Sequence, residues 1–128
     1  MLIKKYFQEI ESQIAGNPHV SESHILKDTR SLHIGIIEGE VLFIDESALH
    51  FIEFVNVKEK TSVYKYSYHH QDRKKRLIFR YDMAPHFKKL ETFPHHKHLP
   101  ANKVIKASAP TFATVLEEID DLIEHVDF

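Results

Sequence analysis

Residues 62–82 read SVYKYSYHHQDRKKRLIFRYD, and this stretch decides the fold. Its first part alternates between two faces with the period of a β-strand, with Val63, Lys65, Ser67 and His69 on one face and Tyr64, Tyr66, Tyr68 and His70 on the other. The polar segment QDRKKR (71–76) is typical of a turn, and LIFRYD (77–82) is typical of the returning strand. The stretch therefore predicts a β-hairpin within an antiparallel sheet.

The chain before this hairpin follows the same two-residue period. Leu32, Ile34 and Ile36 alternate with His33 and Gly35, VLFI (41–44) favours a strand, and LHFIEFVNV (49–57) alternates again after a turn at 45–47. Valine, isoleucine, phenylalanine and tyrosine are frequent throughout, as in most strands. We predict an antiparallel meander of about five or six strands.

Helices are predicted at both ends of the chain. The first is indicated by apolar residues at helical spacing, namely Ile3, Tyr6, Phe7, Ile10 and Ile14, and its end by Gly16 in a left-handed cap, followed by Pro18. The second is an amphipathic helix with its apolar stripe at Phe112, Val115, Leu116, Ile119, Leu122, Ile123 and Val126. Ser108 or Thr111 would cap it, with Pro110 in the opening turn.

Residues 83–109 complete the predicted architecture as a long histidine-rich loop, because Pro85, Pro94 and Pro100 would interrupt a strand ladder. The fold class is therefore α+β: an N-terminal helix, the meander, the loop and a C-terminal helix. A chain of 128 residues predicts one domain spanning 1–128.

Composition narrows the classes of protein further. The chain has no cysteine, which excludes disulfides and thiolate chemistry. It has no apolar run long enough for a bilayer span and no signal peptide, so we expect a cytoplasmic protein that does not engage a membrane. The sequence leaves a homo-oligomer open.

Charge is distributed unevenly along the chain. Residues 58–106 hold 13 Lys/Arg against four Asp/Glu, a balance of +9, whereas the remainder holds four against 15, a balance of −11. The basic segment suggests an anionic partner, unless the acidic ends fold back onto it. Lys65, Lys97 and the run from 73 to 76 (Arg73, Lys74, Lys75, Arg76) are the candidate nucleic-acid contacts. The run also fits a solvated hairpin tip, and the three tyrosines of 64–68 fit a buried sheet face better than a base-stacking platform.

The motif PHHKH (94–98) places three histidines between prolines. His96 and His98 point to the same side of an extended backbone and could bind a metal with His86 or Asp82, while His95 points away. Histidines can equally act as acid and base near neutral pH, and RNA cleavage by its 2′-hydroxyl needs an acid, a base and a cation for the phosphate, but no metal or other cofactor. A third reading is a non-enzymatic module that binds RNA or protein, with structural histidines.

Three blocks, YKYSYHHQD (64–72), LIFRYDMAPH (77–86) and LETFPHHKH (90–98), together resemble the TumE-like family, small prokaryotic proteins formerly grouped as a domain of unknown function. The family pattern has tyrosine at position 70, asparagine at 83 and a second histidine at 87, where this chain has His70, Met83 and Phe87. The loss of the histidine at 87 leaves His86 as the better candidate for a functional role.

The resemblance implies the toxin of a type II toxin–antitoxin module, controlled by a cognate antitoxin of the helix-turn-helix type. From the residue types we add the hypothesis of a metal-independent endoribonuclease. Arg80 would hold the phosphate, His86 with His96 or His98 would be acid and base, and Tyr81 or Lys97 would assist. Asp82 would orient a histidine.

Overall fold

The computed structural model describes residues 1–125 of the chain. Its elements are, in chain order, α1 (Ile3–Ala15), β1 (Val20–Thr29), β2 (Ile34–Phe43), β3 (Ala48–Asn56), β4 (Ser62–Gln71), β5 (Leu77–Asp82), β6 (His96–Leu99), β7 (Lys103–Lys106) and α2 (Phe112–Glu124). The strands form one sheet in the order β1 to β7, and each pairs antiparallel with its neighbours in sequence. The predicted α+β meander is therefore confirmed, with seven strands instead of five or six.

The two additional strands lie inside the segment predicted to be an irregular loop. The prolines did not prevent them, because Pro94 and Pro100 stand on either side of β6 and not within it. β6 pairs with β5 through Arg80–His98 and Asp82–His96. His96 and His98 are consequently strand residues, and only the part of the segment before β6 remains a long connection.

Both helices pack on one face of the sheet and bury most of the apolar positions that the sequence predicts. In α1 these are Ile3, Tyr6, Phe7, Ile10 and Ile14, and in α2 they are Phe112, Val115, Leu116 and Ile119. Of the other predicted stripe positions of α2, Ile123 is partly buried and Leu122 is 43% exposed. Gly35 lets α1 approach β2 closely, since a Cβ there would lie 2.7 Å from Cζ of Phe7. Val126 lies outside the described residues.

The helix ends differ in detail from the prediction. Gly16 caps α1 in the right-handed region, with φ −85°, and its N–H donates to the carbonyl of Ser12. The predicted left-handed cap is wrong. Thr111 is the N-cap of α2 and forms a capping box with Thr114, so Pro110 precedes the cap instead of opening the helix.

A β-bulge in β4 divides the tyrosines. Tyr66 and Tyr68 are buried under the helices, as predicted, but Tyr64 is 48% exposed. The register between β3 and β4 shifts at this point: Phe54 pairs with Lys65 and Val55 with Val63, which leaves Tyr64 unpaired. The extra residue turns the Tyr64 side chain out of the core.

The face of the sheet opposite the helices is here called the open face. Within residues 1–125 no helix packs on it, and it carries a row of polar and charged side chains. None of the described helices is long and apolar enough to cross a lipid bilayer.

Candidate functional site on the open face of the sheet

One row of side chains crosses the open face at a single register. Successive strand pairs place its members directly opposite one another, from β1 to β6: His24, Glu40, His50, His69, Arg80 and His98. Directly opposed residues have Cβ atoms about 5 Å apart, so neighbours in the row interact. Arg80 therefore stands between two histidines, His69 of β4 and His98 of β6.

Asp82 lies next to this row and is the hub of a polar cluster. Its Oδ2 accepts a hydrogen bond from Nε of Arg80 at 3.0 Å and lies 3.5 Å from Nε2 of His98. Its Oδ1 lies 2.6 Å from Nε2 of His96 and accepts the backbone N–H of Ala84. The carboxylate thereby fixes the Arg80 guanidinium and holds both histidines near it.

His96 is the buried member of the cluster, at 1% exposure. Its Nδ1 lies 2.9 Å from the carbonyl of Pro94, which can only accept, so Nδ1 carries the proton. Nε2 lies 2.6 Å from Oδ1 of Asp82, but its orientation is not that of a hydrogen bond, and it has no hydrogen-bond partner within residues 1–125. The ring is thus held through Nδ1, and its Nε2 faces the Asp82 carboxylate.

Phe87 closes the cluster from the connection before β6. Its ring meets the rings of His96 and His98 edge-on, with centroids 4.7 and 5.7 Å apart. The side chain at position 87 therefore faces the cluster, while the neighbouring His86 is exposed and has no side-chain hydrogen bond or ion pair within residues 1–125. The structure does not bring His86 to the site.

The two histidines beside Arg80 share a direction of pKa shift. Burial lowers the pKa of His98, and the positive charge of Arg80 lowers it further, partly offset by Asp82. Burial also lowers the pKa of His69, again with Arg80 as the next cause. No carboxylate acts on His69 in this way, so the neutral form is favoured most clearly at His69.

Tyr81 and Lys97 lie on the helix face of the sheet, away from Arg80. The hydroxyl of Tyr81 and Nζ of Lys97 both donate to the carboxylate of Glu118 in α2, at 2.5 and 2.8 Å. Lys97 also sits over the Tyr81 ring, 4.8 Å from its centroid. These two predicted site residues link β5 and β6 to α2, and part of the acidic helix does neutralise the basic segment.

The remaining predicted basic residues occupy two places. Lys65 is exposed on the open face, with Nζ 5.2 Å from the centroid of Phe54. The run 73–76 forms the exposed tip of the β4–β5 hairpin, called here the basic tip. Arg73 approaches Glu46 at 3.6 Å and Arg76 pairs with Asp72 at 2.8 Å, whereas Lys74 and Lys75 have no ion pair with any described residue.

His69 was absent from the sequence-based set, and counting residues outward from the turn would not have placed it beside Arg80. Counting from the pair Gln71–Leu77 would set Phe79 opposite His69, but the register shifts by one residue between His70 and Gln71 and brings Arg80 there instead. The register of the hairpin, and not the histidine-rich motif, identifies the second histidine beside the arginine.

Within residues 1–125, one group of side chains could bind a metal ion. Asp82, His96 and His98 each offer one ligand atom, and these atoms lie within 4.8 Å of one another. The Nδ1 contact of His96 with the Pro94 carbonyl is the kind of outer-shell support that metal-bound histidines have. Of the two third ligands expected from the sequence, His86 or Asp82, the structure brings Asp82 to the two histidines.

The fold and the site define a small α+β protein with a one-sided sheet and an arginine–histidine–aspartate cluster on its open face. The sequence model of the family described as toxin TumE matches residues 7–127, and the chain belongs to this family. Membership of a toxin family implies a cognate antitoxin as partner. No curated protein and no solved structure matches the chain.

Proposed function

We propose that this toxin acts by cleaving RNA through general acid–base catalysis, without a metal ion. The observation that carries the proposal is the placement of Arg80 between His69 and His98 on the open face of the sheet. A cation for the phosphate with a titratable group on either side is the set that attack by a ribose 2′-hydroxyl requires.

Arg80 binds the scissile phosphate in this proposal. Its side chain is 36% exposed, and only Nε is engaged, by Asp82, so the two terminal nitrogens have no hydrogen bond within residues 1–125. A guanidinium held in this way can present two parallel N–H groups to phosphate oxygens.

His69 and His98 divide the proton transfers. His69 takes the 2′-hydroxyl proton, because no carboxylate stabilises its charged form. His98 donates a proton to the departing 5′-oxygen. Its pKa is lowered on balance, but Asp82 opposes that shift, and the added negative charge of the phosphate in the transition state favours the imidazolium form. The two strands that carry them are about 10 Å apart, which leaves room for a phosphate between the rings.

Asp82 and His96 are positioning residues. Asp82 orients Arg80 and His98, and His96 packs its ring against that of His98 with centroids 4.8 Å apart. The antitoxin that we expect to control this activity is of the helix-turn-helix type.

The test is inducible expression in bacteria and cleavage of RNA by the purified chain. We expect growth arrest and RNA fragmentation from the parent, and a loss of about 10²–10⁴-fold in cleavage rate for His98→Ala and for Arg80→Ala. His86→Ala is the matched control, because this histidine lies outside the cluster, and it should remain toxic. Cleavage should survive an excess of chelator.

Two results would count against the proposal. Full toxicity of His98→Ala would remove the site assignment. Growth arrest with intact RNA would instead favour the non-enzymatic binding module, whose histidines are structural.

The Nε2 of His96, which lies beside Asp82 and His98 and has no hydrogen-bond partner within residues 1–125, favours a second candidate, metal-assisted hydrolysis of RNA. Zinc or another divalent transition metal suits a ligand set of two imidazoles and one carboxylate. In that case a chelator should abolish cleavage, and Asp82→Asn should lower the bound metal measured in the untagged protein. A Phe87→His variant, which adds an imidazole next to His96 and His98, should raise metal affinity.

A further inference from the structure

The outer edge of β1 is long and unusually open. The strand has ten residues, pairs with β2 alone among the described residues, and exposes all of its side chains except Val20 and Ile25, which are partly buried. Every second N–H and C=O of such an edge points away from the sheet and can pair with another strand. Typical strands have five or six residues, so this edge offers more backbone than most.

We infer that β1 pairs with β1 of a second copy of this chain, in one antiparallel register, to make a two-fold dimer with a continuous sheet. The inference does not depend on the proposed function. It rests on the self-complementary pattern of side chains along the edge.

The symmetry restricts how two such edges can meet. Antiparallel strands related by a two-fold axis perpendicular to the sheet keep their open faces on the same side. Two directly opposed residues, one from each copy, must therefore lie on the same face of the sheet. Because side chains alternate between faces, the sum of their two residue numbers must be even. Only a few registers remain for a ten-residue strand.

One register matches every charge on the open face. With Leu26 on the axis opposite its own copy, His24 faces Asp28 and Glu22 faces Arg30 of the other chain, and the same pairs recur by symmetry. Within one chain these groups already alternate in sign, with Glu22 and His24 3.2 Å apart and Asp28 and Arg30 2.9 Å apart. Pairing would join the two short ion pairs on each side of the axis into a larger network.

The neighbouring registers lack this match. With Ile25 on the axis, Glu22 would face Asp28, and with Lys27 on the axis, His24 would face Arg30. With His24 on the axis, Glu22 would face Leu26. Like charges directly opposed on a sheet are destabilising, and a glutamate opposite a leucine forms no ion pair, so the Leu26-centred register is preferred over all three.

Leu26 gives the dimer its apolar centre. Its side chain is 69% exposed, which is high for a leucine in the middle of a strand. In the dimer it would pack against its copy across the axis. β5, which carries Arg80, is four strands away, about 19 Å, so both open-face sites remain accessible.

Disulfide trapping tests the register directly, because the chain has no cysteine of its own. Directly opposed Cα atoms of an antiparallel pair are about 4.5–5.5 Å apart, within the range that a disulfide can bridge. Leu26→Cys should therefore give covalent dimer under mild oxidation of the purified full chain. Leu32→Cys is the matched control: it is 70% exposed, but it lies in the turn after β1, and in this register the two copies would lie at least about 25 Å apart.

A charge exchange supplies an independent test. Sedimentation of the parent should show a concentration-dependent dimer, and Glu22→Arg, which would face Arg30 of the other chain, should weaken it at least about tenfold. Adding Arg30→Glu should restore the dimer, since the intermolecular pair is re-formed with its signs exchanged. Circular dichroism checks that each variant is folded.

Three outcomes would overturn the inference. One is a monomer at all concentrations with no trapping at position 26, and another is equal trapping at 26 and 32. The third is a monomer whose position 26 is protected only when the antitoxin is added, which would assign this edge to the antitoxin.

Discussion

His70 is buried in the core, and neither of its ring nitrogens has a hydrogen-bond partner within residues 1–125. It packs between the rings of Phe43 and Phe79, whose centroids lie 6.0 and 5.2 Å away. Burial lowers its pKa to about 4, so protons bind more readily to the unfolded chain. Above the ordinary histidine pKa of about 6.5, His70 is neutral in both states and does not lower the free energy of unfolding. As the pH falls from 6.5 towards 4, the unfolded chain is protonated first, and the free energy of unfolding decreases.

His70→Leu should therefore stabilise the protein. The substitution removes two polar atoms without hydrogen bonds, each of which costs about 1–3 kcal/mol when buried, and it keeps a similar volume. Urea unfolding at pH 7 and pH 5 measures the effect. We expect a smaller loss of stability between these pH values in the variant, with His86→Leu, an exposed position, behaving like the parent.

Glu53, in contrast to His70, is a buried polar group that has hydrogen-bond partners. It accepts hydrogen bonds from the hydroxyls of Tyr6 and Tyr68 beneath the helices, and burial raises its pKa in spite of them. Two hydrogen bonds keep this group tolerable in the core, whereas His70 has none.

At the scale of elements, α2 begins at a reciprocal cap. Oγ1 of Thr111 accepts the N–H of Thr114 at 3.1 Å, and Oγ1 of Thr114 accepts the N–H of Thr111 at 2.9 Å. This cap anchors the helix whose Glu118 holds Tyr81 and Lys97.

Thr111→Ala should destabilise the protein by about 1 kcal/mol, within the range of about 0.5–2 kcal/mol for lost N-caps. Ser108→Ala is the control, because Ser108 was the other cap expected from sequence and its side chain has no hydrogen bond to a described residue. Thermal unfolding of the two variants beside the parent gives the comparison. Equal losses at both positions would contradict the assignment of the cap.

The elements that sequence predicted well are those whose signal is local. The apolar spacing of α1 and α2 and the alternation in β2 to β5 depend on neighbouring residues only. β6 and β7 were missed because a four-residue strand between prolines exists only through its pairing with β5. The bulge at Tyr64 depends on β3 in the same way.

The same difference between local signals and long-range pairing explains which residues of the candidate site were predicted. Arg80, Asp82, His96 and His98 were selected from the sequence, and the structure brings them together. Tyr81 and Lys97 were selected by proximity in sequence, but strand alternation places them on the other face. For His86 and Phe87, the fold of the connection before β6 decides which of the two neighbours meets the cluster, and no sequence period describes that connection.

At the scale of the whole molecule, the charges are partly matched. Glu118 pairs with Lys97, and Glu46 lies near Arg73, but both helices lie on the face away from Arg80. The open face and the basic tip thus remain available to an anion. The tip begins four residues from His69 along the chain, about 13 Å, which is within about two nucleotides of Arg80.

Lys74→Ala combined with Lys75→Ala should therefore weaken RNA binding without removing chemistry. Each lost phosphate contact should reduce the slope of log affinity against log salt by about 1, uniformly across RNA sequences. Binding titrations at several salt concentrations measure the slope, and single-turnover cleavage at saturating enzyme measures the rate. An unchanged slope would mean that RNA does not reach the tip.

The division of the site between β5 and β6 has a consequence for synthesis of the chain. Arg80 and Asp82 leave the ribosome before His96 and His98, and every strand of the meander pairs with the one made just before it. At about 5–20 residues per second, residues 83–98 take about one to three seconds to make. A nascent chain that has already paired β1 to β5 is therefore still without the histidine pair that the proposed activity requires.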